Sequence, residues 1–257
     1  MISRFYCPDA PGVCANGCAV ILPPEAAHHA LKVLRLRVGA ELVLFDGTGG
    51  EYPGRIVEVG RNAGNDGQQV HVALDAWRDV EREPPLAVTL AQALPTGDKM
   101  DWVAQKAVEL GVTAIQPLQS KRSVVRLAGK RADKRVGHWQ QVAIAACEQC
   151  GRNRVPNIMP IMELPQYLAQ LSNDDAESRL LLAPDGGIQL SALAAQADMA
   201  GKRLTLLIGP EGGFDQGEEQ LAKLSGFRPI SLGPRILRTE TAGLAALAAI
   251  MTLWGDM

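Results

Sequence analysis

The chain has 257 residues, 47% hydrophobic and 21% charged, with a formal net charge of −2. These are ordinary values for globular domains, and the length allows one large core or two smaller ones. They exclude a global basic field of the kind that advertises a nucleic-acid partner.

Residues 1–12 hold no apolar core of signal-peptide length, and the longest apolar run, residues 242–254, is too short to span a bilayer. A cytoplasmic location away from membranes is the expectation. Residues 24–38 have helical spacing, with Ala27, Leu31, Leu34 and Val38 on one face. Strand-like runs follow at 41–45, 52–59 and 69–74, separated by Asp46-Gly47-Thr48-Gly49-Gly50 and by the Asn/Gly-rich segment 60–67. Short strands with turn signals predict a small β-barrel over residues 1–76. His28 and His29 are adjacent, so on a helix they diverge and make a poor metal pair. A charged, Pro-ended linker, residues 77–85, marks the predicted boundary.

Residues 85–257 alternate. Strands are predicted at 86–94, 112–118, 158–161, 179–183, 204–208 and 230–232. Helices are predicted at 98–110, 135–150, 165–171, 188–197 and 216–224, and a helix of small residues closes the chain. This alternation predicts an α/β fold with a parallel sheet covered on both faces. Lys121, Arg122, Arg126, Lys130, Arg131, Lys134 and Arg135 fall within fifteen residues that hold one acid, Asp133. That pattern suits phosphate contacts and equally a solvated helix face. The five cysteines are odd in number, against a full disulfide framework. Cys147-Glu148-Gln149-Cys150 lies inside a helical pattern, and Cys14 and Cys18 lack good ligand spacing, so reduced structural thiols and no metal are expected.

Three loops stand at three strand ends: Pro184-Asp185-Gly186-Gly187, Gly209-Pro210-Glu211-Gly212-Gly213 and Leu232-Gly233-Pro234-Arg235. Strand ends bearing glycine loops are where open α/β sheets bind ligands. No G-x-G-x-x-G is present, and Gly201-Lys202-Arg203 fails as a P-loop because no Ser or Thr follows and Gln196 stands where glycine is needed. Asp185 and Glu211 would repel a polyphosphate. Such loops suit a cationic or neutral ligand, and S-adenosylmethionine, with its sulfonium, fits that description.

These loops belong to longer motifs. Leu207-Ile208-Gly209-Pro210-Glu211-Gly212-Gly213 and Leu232-Gly233-Pro234-Arg235-Ile236-Leu237-Arg238-Thr239-Glu240-Thr241-Ala242 are two of them. Ala145-Ala146-Cys147-Glu148-Gln149-Cys150-Gly151-Arg152-Asn153-Arg154-Val155-Pro156 is a third. Lys99 with Gln105-Lys106-Ala107-Val108-Glu109-Leu110-Gly111-Val112, and Val33-Leu34-Arg35 with Leu44-Phe45-Asp46-Gly47, complete the set. Together they resemble the ribosomal RNA small-subunit methyltransferase E family over nearly the whole chain. The resemblance implies a SPOUT-type trefoil-knotted domain preceded by a PUA-like β-barrel domain. It implies methyl transfer from S-adenosylmethionine to N3 of one uridine in small-subunit ribosomal RNA, and a homodimer. The alternatives are a SPOUT enzyme acting on another base or a ribose 2′-OH, or a non-catalytic RNA-binding assembly factor. The slim residues of the last helix, Ala242, Gly243, Ala245, Ala246, Ala248 and Ala249, suit close packing in a tight loop.

By the same resemblance, Leu182, Ala183 and Pro184 line one side of the cofactor site. Ile208, Gly209, Pro210, Gly212 and Gly213 form the second wall, and Leu232, Gly233, Leu237, Arg238 and Thr239 the third. Methylating uridine N3 removes its proton, so a base or a stabiliser of the anion is needed. N3 is normally paired, so the target base must be single-stranded or flipped. Glu211 is the candidate base, or a loop carboxylate that only accepts N–H bonds. Arg238 is the candidate anion stabiliser, or a partner of Glu240. Thr239 is also read as the N-cap of the last helix. RNA phosphates are assigned to Lys99, Lys121, Arg122, Arg126, Arg152 and Arg154, with Arg4, Lys32 and Arg35 in the first unit. Gly212→Val is expected to abolish cofactor binding, and Arg152→Glu to weaken RNA binding alone.

Overall fold

The computed structural model describes residues 2–10, 19–61, 68–172, 176–183, 186–194 and 203–257. The chain divides into two units, residues 1–83 with 147–155, and residues 84–146 with 156–257.

The first unit contains β1 (Ser3–Tyr6), β2 (Ala19–Ile21), α1 (Pro24–His28), β3 (Glu41–Phe45), β4 (Tyr52–Arg61) and β5 (Gln68–Leu74). The strands form one five-stranded sheet in the order β1-β3-β4-β5-β2. β1 runs parallel to β3 and the other pairs are antiparallel. β5 shows how one face is chosen: Val70, Val72 and Leu74 alternate inward, as the period of two demands. They meet Phe5, Leu44, Tyr52 and Ile56, and α1 closes the core with Ala26 and Ala27. The predicted helix 24–38 is cut short. After α1 the chain widens into a single π turn, His29–Val33, and Arg35 takes φ 55, which no right-handed helix continues.

Residues 147–155 are bound into this unit by side chains. Glu148 accepts from the Tyr6 amide at 2.9 Å. Arg4 lies over the Phe45 ring, pairs with Glu51 at 2.7 Å and hydrogen-bonds Asn153. Asn153 also donates to the Val80 carbonyl, and Arg82 to that of Gly151. Arg152 pairs with Glu83, and Arg154 with Glu81. Burial pushes the Cys147 thiol up to about 12, so it is inert at neutral pH.

The second unit runs through β6 (Ala87–Ala93), α2 (Lys99–Glu109), β7 (Ala114–Gln119), α3 (Gly129–Cys150) up to residue 146, β8 (Asn157–Ile158), β9 (Met162–Glu163) and α4 (Leu164–Gln170). It continues through β10 (Glu177–Leu182), β11 (Ile188–Gln189), α5 (Leu190–Ala194), β12 (Arg203–Ile208), α6 (Gln216–Leu224), β13 (Arg228–Ser231) and α7 (Thr239–Trp254). The strands form a parallel sheet in the order β11-β13-β10-β12-β6-β7-β8, with β9 also beside β7. Neighbouring residues of a strand face opposite ways, and here both ways are apolar. Ala91 and Leu207 join Leu164, Leu168, Ala222 and Phe227 on the side of α4 and α6. Leu90 and Ile208 face Gly243 of α7 on the other. A Cβ at Gly243 would stand 3.0 Å from Gln92 Oε1 and 3.4 Å from Ile208 Cγ1, so the slim residue lets α7 lie directly on β6 and β12.

Three predicted elements change here: residues 158–161 read as one strand, yet β8 ends at Ile158 and β9 starts at Met162. Residues 188–197 read as a helix, yet Ile188 and Gln189 pair with β13 before α5 starts at Leu190; residues 195–197 lie outside the described residues. α3 starts at Gly129 rather than at residue 135.

Candidate active site

β13, β10 and β12 are neighbours and all point the same way, so their C-terminal ends share one edge of the sheet. The chain leaving each end walls a cavity of about 190 Å³. The wall includes Leu182 and Ala183 from β10, Ile208, Gly209, Pro210, Glu211 and Gly213 after β12, and Leu232, Gly233, Leu237, Arg238 and Thr239 after β13. Pro184 lies outside the described residues, and so do Asp185, Cys14 and Cys18.

Local chemistry holds these loops in shape. Gly213 takes φ 66 and its amide donates to the Pro210 carbonyl at 2.9 Å, closing the second loop as a tight turn. Asp215 then caps α6 in a reciprocal capping box with Glu218. Gly233 takes φ 117 at the start of the third loop, where Pro234 fixes the next φ. Thr239 joins the walls: its hydroxyl donates to the Gly209 carbonyl at 2.5 Å and accepts from Gln92 of β6 at 2.9 Å. The hydroxyl is therefore spent on tertiary contacts, and Thr239 is not the N-cap. Arg238 holds that position, without a side-chain cap.

Gly212 departs from expectation. It does not line the cavity, and a Cβ there would meet the side chain of Arg122 at 3.4 Å, an ordinary contact. Gly212→Ala should therefore leave S-adenosylmethionine affinity within about threefold and stability within about 0.5 kcal/mol. Calorimetric titration checks this, and a tenfold loss would mean that the loop faces the other way.

Glu211 accepts from the Thr96 amide at 2.9 Å, the Thr96 hydroxyl at 2.7 Å and Lys99 at 3.4 Å. Burial pushes its carboxyl up, but these hydrogen bonds outweigh burial and hold it below the usual carboxylate range. It is ionised at neutral pH and a weak proton acceptor, the opposite of a tuned general base. Lys99 also pairs with Glu240 at 3.3 Å, so the Glu240 carboxylate is engaged by Lys99.

The cations assigned to RNA separate into four sets. Arg152 is only 4% exposed against Glu83, and the Arg4 side chain only 10% against Glu51, so neither reaches an RNA phosphate. Burial of a guanidinium demands a carboxylate partner, and the sequence pattern hid both partners. Lys121 pairs with Asp215, Arg126 with Glu163, Arg154 with Glu81 and Lys99 with Glu211. Arg122 donates to the carbonyls of Gly212 and Phe214, so it braces the second cavity loop from outside. Lys32 and Arg35 are exposed in the first unit. The cavity wall also holds residues that sequence reasoning missed, among them Leu181, Phe214, Glu219, Ser231, Arg235, Ile236 and Ala242. Arg235 and Ile236 stood inside a quoted motif, whereas Glu219 carried no signal. Among the described residues no group of three or more His, Cys, Asp or Glu could hold a metal ion. No described helix is long and apolar enough to cross a membrane.

Residues 82–251 match the family described as RNA methyltransferase domain, and residues 22–64 match RNA methyltransferase PUA domain. A parallel sheet with glycine loops at one edge, in one chain with a PUA domain, thus defines an RNA methyltransferase. The ribosomal RNA small subunit methyltransferase E of Bacillus subtilis is 36% identical over 229 residues, 88% of this chain and 87% of that protein. The crystal structure of the Neisseria gonorrhoeae ribosomal RNA small subunit methyltransferase E, bound to S-adenosyl methionine, is 38% identical, covers 100% of both chains and gives a TM-score of 0.87. A Legionella pneumophila putative methyltransferase in complex with the same cofactor is 36% identical over 100% of both chains, with a TM-score of 0.88. The chain belongs to the ribosomal RNA small subunit methyltransferase E family.

Proposed function

We propose that this protein methylates N3 of one uridine in small-subunit ribosomal RNA, with S-adenosylmethionine as donor. The observation that carries this reading is the cavity at the ends of β10, β12 and β13, built from the loops that hold the family's motifs. Its donor set fits the cofactor. The wall offers apolar Leu181, Leu182, Ile208 and Leu237 and the close backbone of Gly209 and Gly213, with the carboxylates Glu211 and Glu219 and the guanidiniums of Arg235 and Arg238. An adenine suits the apolar and backbone groups, and the two carboxylates and two guanidiniums suit a ligand that carries both an ammonium and a carboxylate. The bound cofactor supplies an activated methyl group on its sulfonium.

The protein's own part is alignment, water exclusion and handling of the N3 proton. Thr239 ties the second and third loops to β6, which keeps the wall rigid. Glu211 stays ionised and contributes negative charge beside the donor. Arg238 offers a guanidinium to the uridine anion, lowering the cost of losing the N3 proton to solvent. The small face of α7, with Gly243 against β6 and β12, supports a knotted chain in which this helix is threaded. A cytoplasmic homodimer completes the reading, and sedimentation tests the dimer.

The deciding experiment incubates the protein with labelled S-adenosylmethionine and small-subunit ribosomal RNA, free and in subunits, followed by nucleoside mass spectrometry. One 3-methyluridine per RNA is expected. A different methylated nucleoside would move the assignment to another base or to a ribose, and no methyl transfer would leave an RNA-binding assembly factor.

A further inference from the structure

The third loop carries an exposed apolar side chain between two arginines. Ile236 belongs to the cavity wall and is nevertheless 82% exposed. Arg235 and Arg238 line the same cavity and are exposed on either side of it in sequence. Neither guanidinium is held by a carboxylate among the described residues, unlike Lys99, Lys121 and Arg126. The preceding Gly233, with its left-handed φ, and Pro234 limit how far this strap can relax. An aliphatic side chain at a cavity mouth, flanked by two unpaired guanidiniums, is complementary to one kind of ligand. It fits a nucleotide whose base lies flat on an apolar surface and whose flanking phosphates are anionic.

We propose that Arg235 and Ile236 form the docking rim for the unpaired acceptor nucleotide of the RNA. The inference rests on the methyltransferase reading above and adds where the acceptor enters. Ile236 packs against the base and Arg235 holds an adjacent phosphate, which presents the base edge to the cavity and to Arg238. A second copy of this chain fits the rim less well, because it would have to supply carboxylates to both guanidiniums.

Full-length wild type, Arg235→Glu, Ile236→Asp and Ile236→Val are compared by filter binding to protein-free small-subunit ribosomal RNA, by calorimetric titration with S-adenosylmethionine and by sedimentation. Arg235→Glu and Ile236→Asp should each weaken RNA binding about tenfold, the scale of one charge-assisted hydrogen bond. Ile236→Val should keep wild-type affinity. Because both side chains also line the cavity, RNA affinity should fall by a clearly larger factor than cofactor affinity in Arg235→Glu and Ile236→Asp, with unchanged sedimentation. Unchanged RNA affinity in both disruptive variants overturns the proposal. So does a parallel loss of cofactor affinity, or a shift from dimer to monomer that would assign the rim to a partner copy. Wild type that binds RNA without methylating it defeats the proposed function, while the binding comparison still decides the rim.

Discussion

Arg152→Glu is expected to cost about 3–5 kcal/mol of stability, the penalty for leaving one member of a buried ion pair uncompensated. It is not expected to remove RNA affinity selectively. The Arg152 guanidinium is 4% exposed and its Nε donates to Glu83 at 2.9 Å. The substitution would set two carboxylates against each other where water cannot screen them. Residues 147–155 would be held to the rest of the first unit by fewer side chains, chiefly those of Arg4, Asn153 and Glu148. Urea unfolding reads the loss directly. The reversed pair Glu83→Arg with Arg152→Glu should recover part of it, which a loss of RNA contact would not do. A variant as stable as wild type, with RNA affinity alone reduced, would show that Arg152 faces solvent.

Gly187→Ala should be nearly as damaging, at about 2–4 kcal/mol, with at least a tenfold loss of cofactor affinity. A Cβ at this position would stand 2.5 Å from the Ile230 carbonyl carbon and 2.7 Å from its oxygen. Those are backbone atoms of β13, so no rotamer change relieves the clash. β11 would have to part from β13, breaking the register Ile188↔Ile230 and Gln189↔Ser231. Ser231 and Leu232 line the cavity, so the strain reaches the site. Gly186 is the control. It takes φ 76 but has open space around its Cβ position, so Gly186→Ala costs only about 1–2 kcal/mol of left-handed strain. Equal stabilities and affinities for Gly187→Ala and wild type would refute the close approach of these strands.

Much of the second unit was legible because its signals are local. The runs at 204–208 and 216–224 reappear as β12 and α6, since an apolar run bounded by glycine and a capping box each act within a few residues. The strand–helix alternation implied a parallel sheet, and that in turn put three glycine loops on one edge. Errors arose where a distant residue set the outcome. β11 read as the start of a helix because its strand character depends on pairing with β13. Residues 24–38 read as one helix because nothing in their apolar spacing reveals the left-handed backbone at Arg35.

The strand–helix order, the family motifs and the loops after β12 and β13 that wall the cavity all follow from the order of residues along the chain. What each charged or small residue does there follows only from packing. A basic stretch has the same appearance whether its cations face water, chelate carbonyls as Arg122 does, or lie buried against carboxylates as Arg152 and Arg4 do. The sequence separation between Arg152 and Glu83, or between Thr239 and Gly209, carries no local signal. Only the packed sheet and its loops bring such groups within hydrogen-bond distance, and that closeness sets their charge, exposure and role.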